Sequence, residues 1–265
     1  MTEHLDQPVP EPDAGLEMSA EHHAMMHARV ARLEAVLGIA HGRTGLHLPA
    51  WLRPTRGEHR LPVTVALLLL VVLQLRIRAD LAVHPRYLLP ALELGLFAAL
   101  SVGNPTRINR ESMLLRMGGL VLLGAAGAGT AWSAGRLVYL LATGHGGNNA
   151  VPLLVNGGMV WLMNIIVFAV VYWDFDRGGP AARAHARVTR PDFLFSQMTA
   201  PELSSRDWEP TFVDYLYVSF TNATAFSPTD TLPLSRWAKL TMMAQSAISL
   251  VTVALVVARA VNIFR

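Results

Sequence analysis

Two stretches place polar side chains where a membrane anchor has no use for them. The first is Asp214 to Asp230, DYLYVSFTNATAFSPTD, apolar enough to enter a bilayer yet carrying Ser219, Thr221, Asn222 and Thr224. The second is the C-terminal apolar run, where Thr241, Gln245, Ser249, Thr252, Val256 and Arg259 follow one another at steps of three and four. That spacing keeps them on one helical face. In hydrocarbon each such group needs a partner, so both sets must face protein or a wet cavity. Two chemistries follow. Ser219, Asn222 and Thr224 could line a hydrated path with Gln245 and Ser249, with Asp230 at its outer mouth attracting cations. Alternatively, the same groups saturate one another and hold helices together.

Other polar groups also fall inside apolar runs. Glu93 lies a turn past Pro90, and its candidate partners are Arg116 and Arg136, near the two ends of a long apolar segment. Both arginines could instead snorkel to the interface. Asn156 and Asn164, eight apart, share a helical face and suit interhelical hydrogen bonds. Near the N-terminus His22, His23 and His27 stand with Met25 and Met26. His23 and His27 have chelating spacing, but with no third ligand fixed nearby the pattern reads as a solvated face and no metal site is expected. His145 and His185 are isolated. There is no Ser/His/Asp set, phosphate-binding loop or dinucleotide fingerprint, so a membrane enzyme stands third among the readings, with no catalytic set to propose, and no cofactor is expected.

The elements that must position these groups follow from composition. The 265 residues are 52% hydrophobic and only 15% charged, well below the roughly 25% charged of a soluble domain. Long apolar runs put the chain among integral membrane proteins. With no Cys there is no disulfide framework or thiolate site. Lys239 is the only lysine, and the arginines flank apolar runs rather than forming a stripe, which argues against nucleic acid. The first 21 residues hold acids and no Lys or Arg, unlike a signal peptide.

Residues 1–17 read as a disordered acidic tail. Residues 18–60 read as a cytoplasmic amphipathic helix with Met26, Val30, Leu33 and Leu37 on one face, then an interfacial lead-in around Trp51. Residues 61–265 read as the transmembrane domain. Its expected spans are 61–77, 87–102, 113–142, 151–173, 210–226 and 237–263, with a polar loop at 174–209. The fifth covers only about 25 Å of a ~30 Å hydrocarbon core, so it either crosses or dips in and returns. Arginine distribution favours both termini in the cytoplasm. Gly124/Ala128 and Ala125/Gly129 in the third span are small-xxx-small pairs, suited to close helix packing within the bundle or in a homo-oligomer.

Two resemblances rest on particular residues. Trp173 to Pro180 (WDFDRGGP), Pro191 to Phe195 (PDFLF), Asp214 to Phe220 (DYLYVSF) and the terminal Val261-Asn262 resemble a family of bacterial multi-pass membrane proteins of unknown function. That resemblance covers the chain from about residue 60 onward. It implies residence in the bacterial cytoplasmic (inner) membrane and no assigned activity. Thr221 to Lys239 is locally similar to the pore loop and inner helix of potassium channels: a Thr-rich helix, a short turn, Asp, Pro and a basic-flanked helix. Thr224 to Asp230 stands where those channels carry their filter, one residue longer and with neither filter glycine. The backbone geometry of a potassium filter is therefore not expected.

The expectation is an all-α polytopic bundle of about six spans, N-in and C-in, whose partners are the lipid bilayer, a small ion or solute, and further copies of itself. The expected function is channel- or transporter-like. The competing reading is a non-transporting scaffold or partner-binding protein whose polar groups only hold the bundle together.

Overall fold

The computed structural model describes residues 49–103, 106–108, 112–145, 149–205, 207–225 and 230–264. The expected acidic tail and the expected helix carrying His22, His23 and His27 fall outside the described residues. The described chain is mostly helical. Three helices are long and apolar enough to cross a membrane, and Leu61–Arg76 and Leu88–Gly103 are shorter apolar helices.

The Leu/Val run begins helix α1 (Leu61–Arg76) with Pro62 in its first turn, where a missing N–H costs nothing. Helix α2 is Leu88–Gly103. Helix α3 (Met113–Ala142) starts at Ser112, whose side chain accepts from the Leu115 N–H. Asn149 caps α4 (Ala150–Phe175) in the same manner, accepting from the Val151 N–H. α4 is the central post: Val160, Met163, Ala169 and Tyr172 are fully buried. It is stopped by a left-handed turn, with φ of 51° at Arg177, 81° at Gly178 and 99° at Gly179. A Cβ on Gly179 would lie 2.8 Å from the Asp174 carbonyl oxygen, so glycine is required there by both conformation and space.

The segment expected as a polar loop is folded. It contains α5 (Pro180–Ala184) and α6 (Ser196–Thr199) and buries Phe193 and Phe195. Two minimal antiparallel pairings tie connections together. Strand β1 (Glu58–His59) pairs with β2 (Arg107–Ile108), Glu58 opposite Ile108. Strand β3 (Phe193–Leu194) pairs with β4 (Leu232–Pro233), Phe193 opposite Pro233. The lead-in at 49–60 joins this end of the molecule: Thr55 N–H donates to the Ala184 carbonyl, and Arg177 Nη1 donates to the Trp51 carbonyl at 2.7 Å.

The last two helices are α7 (Phe212–Ala225) and α8 (Arg236–Phe264). A chain that crossed at 210–226 and then turned would make them antiparallel. They instead run in the same direction. Both begin against Phe193: Tyr215 sits 6.2 Å and Trp237 5.7 Å from its ring. Further along, Ser219 meets Gln245 and Ala223 meets Ser249. Both run antiparallel to α4, where Ser219 reaches Ile165 and Ser249 reaches Trp161. The physical cause lies in the connection: Leu232, only seven residues past Ala225, is already back at β3, pinned beside Leu194.

Close approach between helices falls at particular glycines. A Cβ on Gly157 of α4 would stand 2.7 Å from Val256 of α8, and one on Gly129 of α3 would stand 2.2 Å from Leu89 of α2. Gly124 has open space. Of the paired small residues in α3, Gly129 therefore serves packing inside the chain, while Gly124 faces outward. Gly157→Val is expected to destabilise by about 1–3 kcal/mol through overpacking, and Gly124→Ala to leave thermal unfolding in detergent unchanged or slightly raised. Equal melting temperatures for the two variants would overturn this assignment.

Candidate functional site

The residues singled out at the end of the chain converge on one buried knot between α4, α7 and α8. Gln245 is its centre, with no exposed surface. Its Oε1 accepts from Tyr172 Oη at 2.6 Å and from Asn222 Nδ2 at 2.8 Å. Its Nε2 donates to Ser219 Oγ at 2.7 Å and to the Ser219 carbonyl at 3.0 Å. Ser219 Oγ donates in turn to the Ile165 carbonyl at 2.7 Å. Asn222 Nδ2 also donates to the Met242 carbonyl at 3.0 Å, and its Oδ1 accepts from Ser246 Oγ at 3.0 Å. One step along, Ser249 Oγ donates to the Ala223 carbonyl and accepts from Trp161 Nε1, at 2.7 and 2.8 Å.

Ser219, Asn222, Gln245 and Ser249 lie together, and their hydrogen bonds run to one another, to backbone and to the side chains of Tyr172, Ser246 and Trp161. They are at most 2% exposed. In low dielectric a satisfied network of this kind rigidifies an interface. Two of the candidate residues stand apart. Thr224 is exposed and donates to the Phe220 carbonyl of its own helix at 2.9 Å. Asp230 is exposed and lies just before β4, at the end of the molecule where α7 and α8 begin.

The charged groups singled out in the apolar helices find separate partners. Glu93 is buried and accepts from Gln74 Nε2 of α1 at 2.9 Å. Arg116 pairs with Asp174 at 2.9 Å, and Arg136 reaches the Asp80 carbonyl at 3.4 Å while its guanidinium lies 5.5 Å from the Tyr139 ring. Neither arginine serves Glu93, because α1 presents a neutral amide to it first. Asn156 does not make the interhelical bond expected of it: it accepts from the Arg78 N–H in the connection after α1 at 3.0 Å and donates to the Pro152 carbonyl of its own helix at 2.7 Å.

A second network was not foreseen. Asp176 is fully buried at the end of α4. Its carboxylate accepts from Tyr215 Oη at 2.6 Å, the Asp192 N–H at 2.8 Å and Arg177 Nε at 3.4 Å. Asp192 bridges outward, accepting from the Arg177 N–H at 3.0 Å and from Trp237 Nε1 at 2.8 Å. Arg183 Nη1 donates to the Trp173 carbonyl at 2.6 Å. Glu58 closes the set, accepting from Trp173 Nε1 at 2.6 Å and from the Phe212 N–H. This cluster fastens the starts of α7 and α8 to the end of α4. The clue in the sequence was WDFDRGGP itself, where two acids and an Arg stand among aromatics at the edge of an apolar run.

Burial raises the Glu58 carboxyl above its ordinary range, more than its hydrogen bonds and Arg183 lower it. A raised folded-state value means that the native state holds the proton more tightly than the unfolded chain. The contribution of Glu58 to stability is then complete below the unfolded value and is lost as pH rises through the folded one. Melting temperature is expected to fall as pH is raised above about 4.5 through that window, and Glu58→Gln to flatten the fall. An unchanged slope in Glu58→Gln would assign the pH dependence elsewhere.

Among the described residues no group of three or more His, Cys, Asp or Glu could hold a metal ion. Comparison of the chain with family models, curated proteins and solved structures finds no match. The two resemblances therefore rest on their quoted residues alone.

Proposed function

We propose that this is an integral membrane protein in which α7 is a re-entrant pore helix rather than a crossing, and that copies of it conduct small cations around the α7 tip. The observation that carries the reading is the parallel course of α7 and α8 from one end. Fourteen residues give α7 a length of about 21 Å, short of a ~30 Å hydrocarbon core. A helix that ends inside a bilayer and returns is tolerated only against protein or a water-filled cavity. The C-terminus of a half-helix carries partial negative charge, which favours cations. Thr224 and Ala225 lie at that tip, and Asp230 lies where the chain re-emerges.

The end that carries the lead-in, β1 to β4 and Asp230 also carries most of the described arginines. Arg76, Arg78, Arg86, Arg136 and Arg259 belong to the other half. The positive-inside rule makes the Arg-rich end cytoplasmic. In this reading α1 to α4 and α8 give five crossings, the C-terminus faces out, and Asp230 attracts cations at a cytoplasmic mouth instead of an outer one. The saturated knot around Gln245 is then the brace of the pore helix, not its lining.

That saturation also favours a second reading, a non-conducting scaffold whose polar groups only hold helices together. One experiment separates the two. The native chain has no Cys, so single Cys variants at Ser196, Asp230 and His145, all exposed, can be labelled with an impermeant thiol reagent in sealed inverted and right-side-out vesicles. Ser196 and Asp230 are expected to react from one side and His145 from the other. In planar bilayers Asp230→Asn is expected to reduce cation conductance several-fold at low salt and less at high salt. Opposite-side labelling of Ser196 and Asp230 would refute the re-entrant helix. Same-side labelling without conductance would leave the scaffold.

A further inference from the structure

Glu93 lies five residues into α2, a depth of about 8 Å at 1.5 Å per residue, and is 3% exposed. Among the described residues its one hydrogen-bonding partner is Gln74 of α1, whose Nε2 donates to Oε1 at 2.9 Å, and it takes part in no ion pair. The charged side chains on the elements around it are engaged elsewhere. Arg116 holds Asp174, and Arg136 reaches the Asp80 carbonyl. Arg86 Nη2 donates to the carbonyls of Leu75 and Ile77, and Arg60 Nη1 to the Leu100 carbonyl. Arg78 pairs with Asp80, and Arg76 is exposed at the end of α1. A carboxylate in hydrocarbon with no counter-charge is so costly that such groups neutralise by holding a proton.

The amide suits an exchangeable proton. Gln74 is neutral and carries both a donor and an acceptor, so it can serve the carboxylate through Nε2 and, rotated, the acid O–H through Oε1. As it stands, Gln74 Oε1 is buried with no partner among the described residues. Gln74 lines a space of about 10 Å³ together with Arg86, whose Nε is likewise buried without a partner, and Ser133 of α3. That is about the room one water needs, and a buried water takes two to four polar partners. It would donate to Gln74 Oε1 and accept from Arg86 Nε, with the Ser133 hydroxyl able to do either. Gly129 lets α3 come this close: a Cβ there would stand 2.2 Å from Leu89 and 3.9 Å from Gln74 Nε2. A second space of about 10 Å³ adjoins Glu93, and the rest of its lining is Leu, Val and Phe side chains. The polar side of the carboxyl is therefore the side of Arg86, in the connection between α1 and α2 at the end opposite the Arg-rich one.

We infer that Glu93 is a proton-binding site, loaded from the Arg-poor end through a water held between Gln74, Arg86 and Ser133. Three observations on different atoms agree: a buried carboxyl whose partner is an amide, two unpartnered polar atoms lining one small space, and an apolar lining on the other side. An ionisable side chain inside a membrane helix marks a proton or ion site in this way. The inference rests on membrane embedding but not on the pore reading, and it survives if no current is found.

The test is labelling of the full chain with the lipid-soluble reagent dicyclohexylcarbodiimide, read by mass spectrometry of the peptides so that Glu93 is told from Glu58. The reagent takes a protonated carboxyl: the acid O–H adds across one C=N bond to give an O-acylisourea, which rearranges to a stable N-acylurea with no group leaving. In sealed vesicles of both orientations, Glu93 is expected to be labelled at acid pH and to lose its labelling when the compartment facing His145 is made alkaline. Alkali in the compartment facing Ser196 should leave the labelling unchanged. Glu93→Gln should lose the adduct at every pH. Ser133→Leu, which fills the space beside Gln74, should keep the adduct and lose the response to alkali. Absence of an adduct on Glu93 at acid pH overturns the site, as does labelling that alkali on neither side reduces. A response to the Ser196 side overturns the entry route. Protection of Glu93 by sodium ions at constant acid pH would make it a metal-cation site and overturn the proton assignment. If either variant does not fold, the wild-type labelling under the two pH settings decides.

Discussion

Replacing Gln245 by Leu is expected to destabilise the protein by about 2–4 kcal/mol, with a matching loss of cooperative unfolding in detergent. The side chain is fully buried and makes four hydrogen bonds, to Tyr172, Asn222 and twice to Ser219. Interhelical hydrogen bonds in membranes average only about 0.6 kcal/mol each, which alone gives the lower figure. Leucine also strands the Tyr172 hydroxyl against hydrocarbon, and an unmade buried hydrogen bond costs about 1–3 kcal/mol. Thr224→Val, on the exposed face of the same α7, is expected to change stability by less than about 0.5 kcal/mol. The contrast separates brace from path. If Gln245→Leu instead unfolds like the wild type but alters conductance, the knot lines the path and the assignment made here is wrong.

Asp176→Ala is expected to cost about 3–5 kcal/mol, the range for removing one partner of a buried ion pair. Asp176 has no exposed surface and Arg177 is 3% exposed, so the guanidinium left behind has no ready access to water. Tyr215 Oη and the Asp192 N–H lose their acceptor in the same step. Since these contacts hold the start of α7 on the end of α4, the consequence should be local as well as global. Trypsin cleavage after Arg187, in the exposed stretch before β3, should accelerate well before the helices melt. Asp207→Asn gives the control. Asp207 pairs with Arg53 in solvent, its side chain 84% exposed, and such pairs contribute at most about 1 kcal/mol. Comparable losses from the two substitutions would show that the Asp176 cluster is not an anchor.

Both predictions concern groups of one chemical type, polar side chains in apolar surroundings, yet only one set was legible in the sequence. Thr241, Gln245, Ser249 and Thr252 recur at helical spacing within one segment, so periodicity alone assigns them a common face. That Ser219 and Asn222 must meet something was equally plain, because hydrocarbon offers no partner. The Asp176 cluster has no such signature. Its members come from 58, 173–192, 212–215 and 237, and no period relates residues on separate elements. A polar stretch between two apolar helices reads as a loop unless its aromatics are known to be buried, and burial of Phe193 and Phe195 is a tertiary fact.

By itself, then, the sequence determined that the chain is mostly helical with segments apolar enough to cross a membrane, where α1 to α4 and α8 lie to within a few residues, and which faces of α7 and α8 are polar. These are consequences of hydropathy and of the 3.6-residue period, which act within one segment. Only the tertiary structure decided the direction of α7, the partner of Glu93 and the saturation of Gln245. Direction hangs on a two-residue pairing, Leu194 with Leu232, that pins the start of α8 beside the start of α7. Partner choice hangs on which helix is nearest: Gln74 of α1 reaches Glu93, and Asp174 takes Arg116. A carboxylate and a guanidinium attract one another whatever their spacing in the chain, so charge along a sequence names candidates, and only packed distance chooses among them.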